Sequence, residues 1–174
     1  STILQRQLNS PTMVFRAIDR LNHLTDRECD DLPNGCSCYF LALGRKIGVK
    51  VFPGSWDRNN AARYQSKAVK LRLGPLIGKS FSFRWKHKDY RVCYCYLTER
   101  VQTSSDKRRH SSWSYDIDYA KIRNRFARHR IEANDLWRNN IGRKNGKFVV
   151  IDFGFFEKMT KKQQKEYFLD NPKR

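Results

Sequence analysis

The chain has 174 residues, 39% of them hydrophobic and 13% aromatic, which is enough for the core of one domain or of two small ones. A formal net charge of +19 favours anionic partners such as nucleic acid or acidic protein surfaces, although it is also compatible with a basic protein that binds no polyanion. The sequence shows no secretion signal at STILQRQLNSPTMVF and no apolar run near the ~20 residues of a bilayer span, so we expect a cytoplasmic protein without membrane contact.

The first hundred residues predict one helix and then two pairs of strands with a helix between the pairs. Ser10-Pro11 is typical of a helix start, because serine caps a helix and proline fits its first turn. Apolar runs separated by turn residues then predict strands at 36–43, 47–52, 80–85 and 90–97, and a helix at 58–73.

The remaining residues predict a linker, a helix, a hairpin and a last helix. Residues 102–115 are polar and aperiodic, which indicates a loop or linker. A helix is predicted at 118–131, a hairpin turn at Asn145-Gly146, and a last helix at 157–168. Helices and strands in this order predict an α+β fold.

Five cysteines occur, at positions 29, 36, 38, 93 and 95. An odd count without a secretion signal argues against a disulfide framework. A zinc site built from the two Cys-x-Cys pairs is the alternative, but structural zinc sites usually separate their cysteines by at least two residues. Because residues i and i+2 of a strand share one face, small buried thiols are the simpler interpretation.

The stretch from Asp135 to Gly154 carries residues suited to phosphate chemistry. Asp135 stands five positions before Asn140, and a predicted hairpin then leads to Asp152 at the end of an apolar strand. Carboxylate and amide oxygens are ligands that magnesium accepts, and magnesium neutralises nucleotide phosphates during phosphoryl transfer. A further carboxylate can orient or deprotonate the attacking hydroxyl.

These residues resemble two motifs of the protein-kinase-like superfamily, especially its small atypical and aminoglycoside-kinase-like members. Asp135-Leu-x-x-x-Asn140 resembles the catalytic-loop pattern, and Asp152-Phe-Gly154 resembles the D-F-G pattern. The resemblance implies that Asp135 is the catalytic base, that Asn140 and Asp152 bind magnesium, and that ATP is the nucleotide.

Upstream residues extend the resemblance. Lys50, in Gly48-Val-Lys-Val, resembles the strand lysine that contacts ATP phosphates, and Glu99 and Val101 fall where a hinge would receive adenine. The resemblance implies a reduced bilobal fold with an N-terminal lobe at 1–101, a linker at 102–115 and a truncated C-terminal lobe at 116–174.

The sequence also departs from this pattern. Helix 58–73 contains no glutamate to pair with Lys50, although Asn60 or Gln65 could replace it by hydrogen bonding. Ala133 stands where the family has histidine, and 20 residues follow Gly154, where kinases carry several helices that bind peptide substrates. Two interpretations therefore stay open: an ATP- and magnesium-dependent phosphotransferase acting on a protein or small-molecule hydroxyl, and an inactive pseudokinase.

A third interpretation is a basic binding module for nucleic acid or an acidic protein. Its motivation is the positive charge together with the basic outer face of the predicted helix, residues 121–130. A solvated surface is the simpler interpretation of this face, and core packing is simpler than base stacking for Trp113 and Trp137. The small size would suit a viral or mobile-element protein acting in a host cell.

Overall fold

A computed structural model describes residues 2–34, 38–104 and 116–172, without the side chains of residues 55–59. Cys36, Trp113 and most of the predicted linker 102–115 therefore lie outside the described residues. The one strand found in the linker's described part is β5 (Gln102–Thr103).

Three helices precede the first strand: α1 (Ile3–Leu8), α2 (Pro11–His23) and α3 (Asp26–Asp30). The start of α2 at Pro11 confirms the prediction. A capping box fixes the start of the short α3, because Thr25 and Glu28 each accept a hydrogen bond from the other residue's backbone N–H.

An antiparallel four-stranded sheet follows, with strand order β1-β2-β4-β3. Its strands are β1 (Tyr39–Ala42), β2 (Ile47–Phe52), β3 (Ile77–Trp85) and β4 (Arg91–Glu99). A strand is found in each of the four predicted ranges; β3 and β4 are longer than predicted, and β1 is confirmed for Tyr39–Ala42 of the predicted 36–43, of which residues 36 and 37 lie outside the described residues. The Phe40 ring of β1 covers the backbone of Gly48 in β2, where a Cβ atom would overlap it.

The two faces of this sheet are covered differently. One face presents Val49, Val51 and Cys95 to a core shared with α1, α2 and α3. The other face, which carries Lys50 and Tyr96, lies towards α4 (Ser55–Lys70). Because alternate residues of a strand point to opposite faces, Lys50 is separated from the main core of the sheet.

Helix α4 also contributes to a second core. Its residues Tyr64 and Ala68 pack with Leu73 against apolar side chains from the C-terminal part of the chain, including Phe126 and Phe156. The helix ends at Lys70, earlier than predicted, and Arg72 then takes the left-handed conformation at φ 59. The segment after α4 therefore joins the two parts of the molecule.

The C-terminal part contains α5, α6 and four short strands. They are α5 (Tyr119–Ala127), β6 (Ile131–Glu132), β7 (Ile141–Lys144), β8 (Lys147–Val150), β9 (Glu157–Lys158) and α6 (Lys161–Asp170). Strands β7 and β8 form the predicted hairpin, in which Asn145 and Gly146 both have positive φ.

Two predicted helix boundaries in this part are wrong. The helix predicted at 118–131 ends at Ala127, because Arg130 turns to φ 59 and Ile131 begins β6. The last helix begins at Lys161 instead of Glu157, because residues 157–158 form β9 and pair with β6.

The α+β class predicted from the sequence is confirmed. The order of hairpin, helix, two strands, helix and hairpin is the order predicted from the sequence. Within the described ranges, no helix has the length and apolar character to cross a membrane.

Candidate functional site

The Lys50 ammonium lies where the two parts of the chain meet. Its Nζ donates to the Ile151 carbonyl at 2.6 Å and to Oε1 of Gln65 at 3.3 Å. The rings of Tyr96 and Phe153 flank it, with centroids 5.7 and 5.9 Å from Nζ. Through the Lys50 ammonium, these contacts connect β2 with α4 and with Ile151, the residue before Asp152.

Burial is the main influence on Lys50. It lowers the lysine pKa, and the negative charges of the Cys38 thiolate and the Asp152 carboxylate oppose that effect. Burial also raises the pKa of Cys38 to about 12, so this thiol stays protonated at neutral pH. Asp152 is therefore the anion that acts on Lys50 under ordinary conditions.

Gln65 contacts Lys50 from α4, a helix whose sequence contains no glutamate. It is fully buried, and its Oε1 accepts from Lys50 and from the Tyr96 hydroxyl at 3.1 Å. Its Nε2 donates to the Pro75 carbonyl at 3.1 Å and to Oγ1 of Thr98 at 2.8 Å. Of the proposed substitutes for the glutamate, Gln65 is thus placed against Lys50 by the structure.

Asp135 and Asn140 form one hydrogen-bonded unit. Asn140 is buried and its Nδ2 donates to the Asp135 backbone carbonyl at 2.7 Å and to the Asp135 carboxylate at 3.1 Å. Asp135 itself is exposed and has φ 61, a conformation in which Asp and Asn are enriched among non-glycine residues. The loop therefore presents the Asp135 carboxylate at the surface, while Asn140 holds the Asp135 backbone in place by a hydrogen bond.

Asp152 lies in a short turn directly after Ile151. One carboxylate oxygen accepts from the Gly154 N–H at 3.0 Å, while Phe153 is buried against Phe156 at a ring-centroid distance of 5.0 Å. The Ile151 N–H donates to the Asn140 carbonyl at 2.9 Å. Ile151 thus bonds through its N–H to Asn140 and through its carbonyl to Lys50, and it directly precedes Asp152.

Glu99 and Val101 are placed differently from the other predicted residues. The Glu99 carboxylate accepts from Leu76 N–H at 3.0 Å and forms an ion pair with Lys144 at 2.7 Å, so its charge is already engaged. Val101 packs where a Cβ on Gly142 would lie, and Ile151 borders the same spot. Val101 thus lies close to Ile151, which Lys50 contacts.

Asp152 and Asn140 are two side chains that could hold a metal ion. Asp152 and Asn140 offer hard oxygens, and the Oδ1 of Asn140 is the one that would do so because Nδ2 bonds to Asp135. Among the described residues, no group of three or more His, Cys, Asp or Glu side chains is arranged to hold a metal ion. Cys93 and Cys95 are instead buried in the sheet core.

The basic face predicted at 121–130 is not one continuous helical surface. Arg125 donates to the Leu71 carbonyl at 2.6 Å, and Arg130, beyond the helix end, donates to the Met159 carbonyl at 3.0 Å. Trp137 is 49% exposed, so the core-packing interpretation of this residue is wrong. Arg125 and Arg130 therefore hydrogen-bond to backbone carbonyls of the protein itself.

A cavity of about 330 Å³ lies between the end of α4 and the β7–β8 hairpin, and Glu99 contacts two of its lining residues, Leu76 and Lys144. None of the predicted site residues lines it. Its walls are formed by Val69, Arg72, Gly74, Leu76, Lys144, Asn145, Lys147 and Val149.

Comparisons with known proteins found likenesses among solved structures only. No family model and no curated protein matches the chain. WaaP in complex with acyl carrier protein is 14% identical with a TM-score of 0.46, and the match covers 90% of this chain and 75% of that one. WbdD, solved with the kinase inhibitor LY294002, is 13% identical with a TM-score of 0.41, over 78% of this chain and 35% of that one.

Sequence motifs did not identify every group that contacts Lys50. The Ile151 carbonyl is a backbone atom and has no residue-type signature. Tyr96 and Thr98 could have been recognised, because they alternate along β4 on the face opposite Cys95 and Leu97.

Proposed function

We propose that the chain is an ATP- and magnesium-dependent phosphotransferase that acts on a hydroxyl group of a protein or small molecule. One observation carries the proposal: Lys50, from a distant part of the sequence, and the backbone of Asn140 both hydrogen-bond to Ile151, the residue directly before Asp152. These residue types are the ones required to hold nucleotide phosphates and magnesium, and their order is that of the kinase-like motifs.

Asp152 and Asn140 are the proposed magnesium ligands, because they offer a carboxylate and an amide oxygen, and the Asn140 backbone hydrogen-bonds to Ile151, the residue directly before Asp152. Bound magnesium would supply charge neutralisation on the nucleotide phosphates. The Asp152 turn keeps one carboxylate oxygen on the Gly154 N–H, and the buried Phe153 ring fixes the turn against the core. The second carboxylate oxygen is the atom assigned to the metal.

Lys50 is the proposed phosphate-contacting group. Its Nζ already has the Ile151 carbonyl and Gln65 as acceptors, so a phosphate oxygen would join or replace a contact that exists. The adenine would lie towards Val101, because Val101 and Ile151 border the same spot above Gly142 and Lys50 bonds to the Ile151 carbonyl. Glu99 stands three positions after Tyr96, which is opposite Lys50, and this corresponds to about 10 Å along a strand.

Asp135 is the proposed base for the acceptor hydroxyl. Its carboxylate is exposed, where an acceptor can reach it, and the bond from Asn140 restricts its direction. The same Asn140 side chain would also bind magnesium through Oδ1. Asn140 would therefore fix the position of Asp135, the proposed base, relative to the bound magnesium.

A thermal-shift titration with ATP and magnesium tests the proposal on wild type, Asp152→Asn and Asp135→Asn, with exposed Asp31→Asn as the matched control. We expect ATP with magnesium to stabilise wild type, Asp31→Asn and Asp135→Asn, and Asp152→Asn to lose the magnesium-dependent part. Transfer of labelled phosphate should fall at least ~100-fold in Asp135→Asn, because the base is lost while binding is kept. Stabilisation of Asp152→Asn equal to that of wild type would contradict the metal assignment.

A second candidate is an inactive module that binds an anionic partner. The observation that favours it is the net charge of +19 together with exposed lysines on the last helix, at positions 161, 162 and 165. If ATP stabilises no variant, binding to single-stranded RNA should be measured between about 50 and 200 mM salt, where phosphate contacts predict a steep loss of affinity. An affinity that does not change with salt would rule this candidate out.

A further inference from the structure

The orientation of the Gln65 amide is dictated by its neighbours. Lys50 Nζ can only donate and the Pro75 carbonyl can only accept, so Oε1 must face the lysine and Nε2 must face Pro75. The Tyr96 hydroxyl donates to Oε1, and Thr98 Oγ1 accepts from Nε2. A flipped amide would place like groups against both Lys50 and Pro75.

The amide is also held by several separate elements. Gln65 belongs to α4, Pro75 to the segment before β3, and Tyr96 and Thr98 to β4. Gln65, Tyr96 and Thr98 are exposed by at most 2%. Buried hydrogen bonds of this kind are costly to break, so α4 cannot move away from Lys50 without leaving polar groups unsatisfied.

A carboxylate at position 65 would not fit this network. It would attract Lys50, but an oxygen in place of Nε2 would face the Pro75 carbonyl oxygen at 3.1 Å with no hydrogen between them. The Thr98 hydroxyl would have to turn away from the Leu76 carbonyl, to which it donates at 3.2 Å. The gain of a buried ion pair is offset by its desolvation and by these unsatisfied acceptors.

We propose that Gln65 is the positioning residue for Lys50, and that this site requires a neutral amide where a kinase-like protein is expected to have a carboxylate. The inference rests on the proposed role of Lys50 in phosphate binding. Because the amide is fixed on both sides, the contact between α4 and Lys50 is permanent, and the site is assembled without a helix movement that makes or breaks an ion pair.

Nucleotide affinities test the positioning role in Gln65→Glu and Gln65→Ala. Dissociation constants are measured for ATP with magnesium and for adenosine, which lacks phosphates. Gln65→Ala loses the hydrogen bond to Lys50, and Gln65→Glu places an oxygen against the Pro75 carbonyl, which moves the side chain from its place beside Lys50. ATP binding should therefore weaken by about tenfold or more in both variants, and adenosine binding should change by less than about twofold. Equal weakening of both ligands would indicate general structural damage and would overturn the positioning role.

A second measurement needs no nucleotide, so it separates failure of this inference from failure of the proposed function. In protein labelled with ¹³C at lysine Cε, an ordered Lys50 gives two distinct Hε signals and a freely rotating side chain gives averaged ones. We expect distinct signals in wild type and averaged or shifted signals in Gln65→Glu and Gln65→Ala. If wild type does not bind ATP, the proposed function fails while these spectra still decide the role of Gln65.

The matched control is Gln164→Glu. Gln164 donates from Nε2 to the carbonyls of Ala127 at 2.8 Å and Arg128 at 3.1 Å, far from Lys50, so the same substitution breaks similar bonds elsewhere. It should leave the Lys50 signals and the ATP affinity unchanged. If Gln65→Glu does not fold, Thr98→Val removes one acceptor of Nε2 and must still perturb the Lys50 signals. Unperturbed Lys50 signals and wild-type ATP affinity in Gln65→Glu or Thr98→Val would overturn the proposal.

Discussion

At the scale of single residues, the cysteines are governed by burial. Cys95 is fully buried on β4, and desolvation raises its pKa above the usual thiol range. Cys29, Cys38 and Cys93 are shifted in the same direction, also mainly by burial. Because the thiolate is the reactive form, these four thiols should resist alkylation until the chain unfolds.

The raised pKa of Cys95 predicts that its contribution to stability depends on pH. The folded state keeps the thiol proton above pH ~8.5, where the unfolded chain releases it, so the stabilisation is complete below that pH and is lost as pH rises towards the folded pKa. The free energy of unfolding of wild type should fall by about 2 kcal/mol relative to Cys95→Ala between pH ~8.5 and ~10. Denaturant titrations of both proteins at four pH values measure this difference. A difference that stays constant with pH would contradict the assigned shift.

The sequence predicts those residues of the candidate site that are assigned a chemical role through their side chains. Asp135, Asn140 and Asp152 follow from motif order, and Lys50 from its place on an apolar strand. Gln65 could be distinguished from Asn60 as the partner of Lys50 only in the structure, because the choice depends on which side of α4 faces Lys50. The role proposed for each of these residues stays a prediction.

At the scale of elements, α1 is attached to the sheet at an unusually close approach. Gln5 donates to the Ile77 carbonyl at 3.0 Å, and the Lys79 N–H donates to the Asn9 side chain at 3.1 Å. Between these two bonds lies Gly78, where a Cβ atom would overlap the carbonyl oxygen of Leu8. Glycine is therefore required here by backbone contact.

Substitution by alanine should lower the unfolding free energy by different amounts at three glycines, because their surroundings differ. Gly78→Ala must displace α1 and should cost at least about 2 kcal/mol of unfolding free energy. Gly146→Ala meets no atom within 4 Å but has φ +77, so its cost should be about 1 kcal/mol and purely conformational. Gly44→Ala has open space and no positive φ, and it should change stability by less than ~0.5 kcal/mol.

Denaturant unfolding measures the three costs, and amide hydrogen exchange locates them. Faster exchange in α1 is expected for Gly78→Ala and not for Gly146→Ala. If Gly78→Ala were as stable as Gly44→Ala, the close approach of α1 to β3 would be refuted.

Long elements with clear periodicity were predictable, and short elements fixed by distant contacts were not. Strand β2 alternates and is bounded by turn residues, and its predicted limits are confirmed. The end of α5 was predicted too late because residues 128–130 have ordinary helix propensity. In the structure, Met159 bonds to the Arg130 carbonyl at 2.8 Å and holds that residue out of the helix. A two-residue strand such as β6 or β9 has no periodicity to detect.

At the scale of the molecule, α4 and the segment after it unite the two cores. The Leu73 carbonyl accepts from Val150 N–H at 2.8 Å, and the Leu71 carbonyl accepts from Arg125 at 2.6 Å. Tyr64 of α4 is buried against Phe156, with ring centroids 6.0 Å apart. The C-terminal core is therefore completed by residues from the N-terminal half of the chain.

Shared packing predicts a single cooperative unfolding transition without ligand. Tyr64→Ala should lower the unfolding free energy by about 3 kcal/mol or more and move the whole transition, whereas Phe15→Ala, at a side chain 71% exposed, should have little effect. Calorimetry checks both points, because the calorimetric and van't Hoff enthalpies agree for one transition. Two resolved transitions in wild type would show that the cores unfold independently.

The ring of Phe40 over the backbone of Gly48 has a consequence for divergence of the sequence. A lineage that acquires a side chain at position 48 must first lose the large ring at position 40. A chain that keeps glycine at position 48 can tolerate many residues at position 40, although the backbone of Gly48 is then left uncovered. Substitutions at this pair should therefore accumulate in a preferred order, with change at 40 preceding change at 48.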